Sequence, residues 1–148
     1  MHSGTRRIAI SWLLVAAWAC LIFAMSAKTG QSLDSGMDLV VLVKRWLQSL
    51  VGPGKDVSPL GHFAEYFVFG LLLANAVRHH RAGWAVVLIA AGIASIYGAT
   101  DEFHQLFVPQ RSCDPADWVV DTIAALVGAT IFYLAWRYKS RQRQGGRR

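Results

Sequence analysis

Two apolar segments, residues 84–100 (WAVVLIAAGIASIYGAT) and 118–136 (WVVDTIAALVGATIFYLAW), constrain this chain more than any other feature. At about 1.5 Å rise per residue, each crosses most of a hydrocarbon layer roughly 30 Å thick. A backbone in lipid must satisfy its own hydrogen bonds, so both segments are predicted to be helices. Between them lies DEFHQLFVPQRSCDPADWVVD, residues 101–121, richer in ionisable groups than its surroundings. A polar stretch in that position joins two membrane spans and is a natural place for a site.

A hydrophobic fraction of 54% with only 16% charged residues excludes an ordinary soluble domain. The sequence pI of 9.8 would point to nucleic acid in a soluble protein, but the charges are segregated by position. Ten of the fifteen Lys and Arg lie before residue 8, in 78–83 or in 137–148, and none of the nine acids does. This is a positive-inside pattern, placing both termini and the 78–83 turn in the cytoplasm and residues 27–59 and 101–117 outside. The expected architecture is all-α: a four-span transmembrane bundle in the plasma (inner) membrane, one domain over residues 1–148. The spans fall at about 8–26, 60–77, 84–107 and 116–136. The basic tail 137–148 reads as a topology signal in contact with anionic lipid, not as a nucleic-acid arm.

The first apolar run, residues 8–26, follows Arg6-Arg7 and exceeds the usual core of a signal peptide, so it is expected to stay as a span. Residues 37–51 carry Leu39, Val40, Leu42, Val43, Trp46, Leu47 and Leu50 on one helical face and Lys44, Arg45 and Gln48 on the other. That segment is too short and too charged to span, and is expected to lie in the outer interface or to lid the bundle. The adjacent His79 and His80 belong to a short basic turn, since neighbouring helix positions do not converge on one metal. Small residues at four-residue spacing, Ala91 with Ser95, Ala94 with Gly98, Ala124 with Gly128 and Ala125 with Ala129, predict close helix packing. Asp114-Pro115-Ala116-Asp117 has the form of a helix cap, a first-turn proline and a first-turn acid. Cys20 and Cys113 lie at different depths and predict no disulfide.

The outer ends of the second, third and fourth spans gather His62, Glu65, Tyr66, Glu102, Gln105, Arg111, Asp117 and Asp121. Asp121 lies one turn inside Asp117 on the same helix face, within the apolar layer, where an ionised carboxylate is costly without a partner. One reading is a hydrogen-bonded network pinning short helices together. The other is a binding or catalytic site, with His62, Glu65 and Glu102 as acid–base candidates and Tyr66, Gln105, Arg111, Asp117 and Asp121 as binding residues. No Ser or Cys stands where covalent catalysis would need it, and no zinc motif supports a metal, so no metal or cofactor is expected.

The chain resembles the VanZ-like family of small bacterial membrane proteins. The resemblance rests on His62-Phe63-Ala64-Glu65-Tyr66 with Gly70, then Asp101-Glu102 with Gln105, Phe107-Val108-Pro109 with Arg111, then Asp114, Asp117 and Gly128. It covers about residues 57–136 and departs at Pro59, where the family usually carries Lys, and at Asp121 and Ala124, where Asn and Gly are frequent. It implies an envelope protein associated with low-level resistance to teicoplanin-type lipoglycopeptides. On that basis the expected partners are membrane lipids and a lipid-linked or lipoglycopeptide ligand, with a homo-oligomer also open. An intramembrane enzyme on a lipid-linked substrate and a small oligomeric transporter are the alternatives. Reporters fused to the C-terminus and into the 101–117 loop check the topology: the loop should report from outside the membrane and the C-terminus from inside. An externally active C-terminal reporter would overturn it.

Overall fold

The computed structural model describes residues 2–27, 49, 52, 58–109, 111 and 113–145. Apart from Ser49, the amphipathic helix expected at 37–51 lies outside the described residues. The architecture is all-helical: α1 His2–Ser26, α2 Ser58–Val77, α3 Ala85–Gln105 and α4 Pro115–Gly145. All four are long and apolar enough to cross a membrane. α4 runs past the predicted end at 136, taking Arg137, Lys139, Arg141 and Arg143 into the helix. Lys and Arg are good helix formers and sit well at a helix C-terminus, so the basic run extends the helix.

The direction of each helix follows from its contacts. α2 and α4 run the same way, His62 facing Asp121 near their starts and Gly70 facing Ala125 further along. α3 runs against both, since its last turn reaches Asp114 while its middle meets Trp118. One end of the bundle therefore carries the acidic 101–117 connection and the other the basic 78–84 turn.

The α2–α4 crossing is the tightest in the molecule. A Cβ on Gly70 would overlap the Ala125 carbonyl, and one on Gly128 would overlap the Phe67 carbonyl. With no hydrophobic drive between helices in lipid, such close approach is what dispersion packing requires, and only small residues permit it. Around the crossing, Tyr66, Phe69, Leu73, Ala124, Ala125, Ala129 and Tyr133 form the core. α3 adds Ala90, Ala91, Ala94 and Gly98, all buried as the small-residue spacing predicted, while Ser95 is half-buried and hydrogen-bonds the Thr122 hydroxyl at 2.9 Å. Leu88, Ile96, Phe107 and other large apolar side chains face outward, which a lipid solvent favours.

α1 buries Val15 and Ile22 against the core and is tied to its neighbours by polar stitches. Trp18 Nε1 donates to the Glu65 carbonyl at 3.0 Å, and the Tyr97 hydroxyl donates to the Ala19 carbonyl at 2.6 Å. At the basic end, Ser11 Oγ stands 3.4 Å from His79 Nε2, and Trp12 Nε1 donates to His80 Nε2 at 3.1 Å. The two histidines thus fasten α1 to the turn. Burial, with Arg78, His80 and Arg7 beside it, lowers the His79 pKa from its ordinary value and favours the neutral ring. Gly83, at φ +67°, closes the turn in the left-handed region. Arg78 lies over the rings of Phe132 and Trp136, 5.8 Å from each centroid.

Leu in place of Gly128 or Gly70 should destabilise the bundle by about 3 kcal/mol or more, because neither backbone can retreat without separating α2 from α4. Gly61→Ala should be neutral or slightly stabilising, since nothing lies within 4 Å of its added Cβ. Thermal unfolding in detergent checks the contrast. Equal tolerance at 61 and 128 would contradict the close crossing.

Candidate functional site

The polar side chains at the acidic end are placed by the apolar packing below them. Gly70 and Gly128 bring α2 and α4 together, and two turns towards the acidic end the same approach sets His62 against Asp121. His62 Nδ1 lies 3.3 Å from Asp121 Oδ1, and its Nε2 lies 3.9 Å from Asp117 Oδ2. The ring is bracketed by two carboxylates one helical turn apart. Asp121 is fully buried, and its other oxygen, Oδ2, meets no hydrogen-bond partner. That oxygen is 3.5 Å from where a Cβ on Gly98 would stand, so the bare Gly98 backbone leaves the room it occupies.

α3 supplies the third wall. Its buried face runs through Ala90, Ala94 and Gly98 to Asp101, Glu102 and Gln105, turning from small and apolar to acidic as it reaches the connection. Glu102 accepts from Gln105 Nε2 at 3.2 Å and from the Asp114 backbone N–H at 2.8 Å. Its carboxylate therefore fastens the end of α3 to the start of α4. Asp114 caps α4 as expected: its Oδ1 accepts from the Ala116 N–H at 2.8 Å, and its carbonyl accepts from the Asp117 N–H at 3.0 Å. Asp117 is thus both a first-turn acid and a neighbour of His62.

Not every predicted residue joins the centre equally. His62, Glu102, Gln105, Asp117 and Asp121 meet directly or through one another. Tyr66 is fully buried beside Gly98, and its hydroxyl meets no partner. Glu65 is half-buried, with its backbone carbonyl taken up by Trp18. Arg111, half-buried in the connection, bonds through its N–H to the Val108 carbonyl at 3.2 Å and lies within electrostatic reach of Glu65.

Asp101, left out of the predicted site, is 4% exposed, with the Ser26 and Gln105 side chains beside its carboxyl as polar neighbours. His104 Nε2 meets no partner, and the His104 ring stacks on Phe23 with centroids 4.5 Å apart. The signal for Asp101 was available: it continues the Ala90, Ala94, Gly98 stripe three residues on. Cys20 and Cys113 are both free and exposed.

Chemically, the cluster is rich in acceptors. Within the described residues it offers carboxylate oxygens, a phenol and one imidazole to whatever enters. His62→Ala strips Asp121 of its partner inside the apolar layer and should cost about 3 kcal/mol of stability. Asp114→Ala removes a cap at the exposed edge and should cost about 1 kcal/mol. Unfolding in detergent measures both, and an Asp114 effect equal to or larger than the His62 effect would show that the buried pair is not a stabilising unit.

The model of one protein family, VanZ/LLP1, matches residues 11–136 of the 148. Comparison with curated proteins and with solved structures found no match.

Proposed function

The chain belongs to the VanZ/LLP1 family, and from that premise we propose that it is an envelope protein of the plasma membrane whose acidic end faces outward and binds the polar head of a lipid-linked or amphiphilic molecule. The observation carrying this reading is the pair of buried polar atoms without partners, Asp121 Oδ2 and Tyr66 Oη. A network serving only to pin helices together would satisfy its own members, because an unpaired buried polar group in a membrane costs on the order of 1–3 kcal/mol. Groups left unsatisfied on the helices that carry the site are those a ligand could satisfy. A carboxylate oxygen accepts and a phenol hydroxyl can do either, so the head that fits brings hydroxyl or amide groups, as a lipid-linked sugar or peptide does. Shielding such a head at the outer leaflet is a direct route to the teicoplanin-type resistance associated with the family.

One arrangement favours a second reading. With Asp121 Oδ1 on His62 Nδ1, the imidazole has the carboxylate pairing that orients an acid–base histidine, so an intramembrane enzyme on a lipid-linked substrate is the competing function.

Lipid-resolved mass spectrometry of the purified protein should find a retained lipid with a polyhydroxylated or peptidyl head. Glu102→Gln should leave the protein folded, abolish that retention, and restore lipoglycopeptide susceptibility in expressing cells. Retention of the lipid and wild-type susceptibility in a stable Glu102→Gln protein would defeat the binding reading. Conversion of the retained lipid to a product, lost in His62→Gln, would favour the enzyme.

A further inference from the structure

We propose that His62, Glu102 and Asp121 form a binding site for one divalent first-row metal ion, of the zinc or manganese class. The three residues come from three different helices, and each offers a ligand atom within 4.8 Å of the others. Two of these atoms already stand at coordination spacing. His62 Nδ1 and Asp121 Oδ1 are 3.3 Å apart, and metal–ligand bonds of about 2.0–2.2 Å in a tetrahedron separate neighbouring ligands by about 3.4 Å. Glu102 supplies the third ligand atom, within 4.8 Å of the other two.

An independent observation points to a ligand. Asp121 has no exposed surface, and its Oδ2, 3.5 Å from where a Cβ on Gly98 would stand, meets no donor although its carboxylate belongs to the cluster. The surroundings also resemble the outer shell of a metal centre more than a helix staple. If Nδ1 ligates, the opposite ring N–H is left on the side of Asp117 Oδ2, 3.9 Å away, from where a small shift would form the carboxylate–histidine hydrogen bond that fixes a ligating imidazole. Glu102 is oriented from both sides, by Gln105 Nε2 and by the Asp114 N–H.

The local charge agrees. Glu65, Asp101, Glu102 and Asp117 all lie within electrostatic reach of Asp121, and a doubly charged cation offsets acids that would otherwise repel in a dry layer. The donor set selects the metal: one imidazole and two carboxylates suit a borderline ion, whereas calcium and magnesium favour oxygen alone. Three protein ligands leave a position open, so an anionic oxygen such as a phosphate could dock where carboxylates alone would reject it. The ion site stands whether or not the lipid reading does.

The test uses the full chain in detergent, stripped with EDTA and returned to Zn²⁺ or Mn²⁺. Metal analysis should find one ion per chain, and X-ray absorption on the wild-type protein should show one imidazole nitrogen with oxygen ligands. Asp121→Asn and His62→Gln should each weaken binding at least tenfold, while Asp114→Asn and a double His79→Ala, His80→Ala variant should leave it unchanged. Loss of the ion in the His79, His80 variant would assign it to the basic turn and overturn the proposal. So would a folded wild-type protein that takes up no ion, or absorption spectra showing two or more imidazoles. Because the readout is metal content and coordination, its failure does not touch lipid retention.

Discussion

The glycine crossing of α2 and α4 is the constraint on which the rest depends. In water an apolar helix face is driven inward, but in lipid the tails are as apolar as leucine, and helices stay together through close packing and polar contacts. Gly70 against Ala125 and Gly128 against Phe67 bring two backbones nearer than any side chain would allow. Everything polar at the acidic end inherits its position from that contact. His62 and Asp121 lie on the same two helices, about two turns away, so a change in the crossing moves both ends of the pair. Fold and site are thereby coupled: the small residues that permit packing also decide whether the imidazole meets the carboxylate.

The molecule is strongly asymmetric along the bundle axis. At the basic end, the cations rest against aromatic rings, Arg78 over Phe132 and Trp136 and Arg137 over Tyr133, with their charged heads placed for water and headgroups. At the acidic end the charges point inward and are buried. Burying acids is the costly choice, and it exceeds what register needs, because Trp18, Tyr97 and Thr122 already tie neighbouring helices with single hydrogen bonds. The unpartnered Asp121 Oδ2 and Tyr66 Oη set this end apart from such single hydrogen-bond ties.

Much of this was legible in the sequence because lipid leaves few options. A run of apolar residues without charge can only be a helix, and the spacing of Ala94, Gly98, Ala124 and Gly128 marks the faces that pack. The cap at Asp114, the free cysteines and the turn at 78–83 follow from equally local chemistry. What sequence could not give was the pairing across helices. Asp121 needs a partner by its depth alone, and only the parallel run of α2 and α4 places His62 in contact with it. Asp101 was passed over because Glu102 beside it drew the attention, yet a helix that widens its buried face near its end can bury two successive acids. The extension of α4 was missed for a different reason: basic residues mark a membrane boundary, and a helix need not stop where the membrane does.

Glu102 shows how far structure and function can be separated here. Its two oxygens hold Gln105 and the Asp114 backbone, contacts that a neutral amide could partly reproduce by offering one acceptor and turning its donors elsewhere. Asp121 differs, since one of its oxygens holds nothing in the protein at all. A fully buried carboxylate with one oxygen unoccupied, beside the bare backbone of Gly98, is left unexplained by packing, and both the proposed ligand and the proposed ion converge on it.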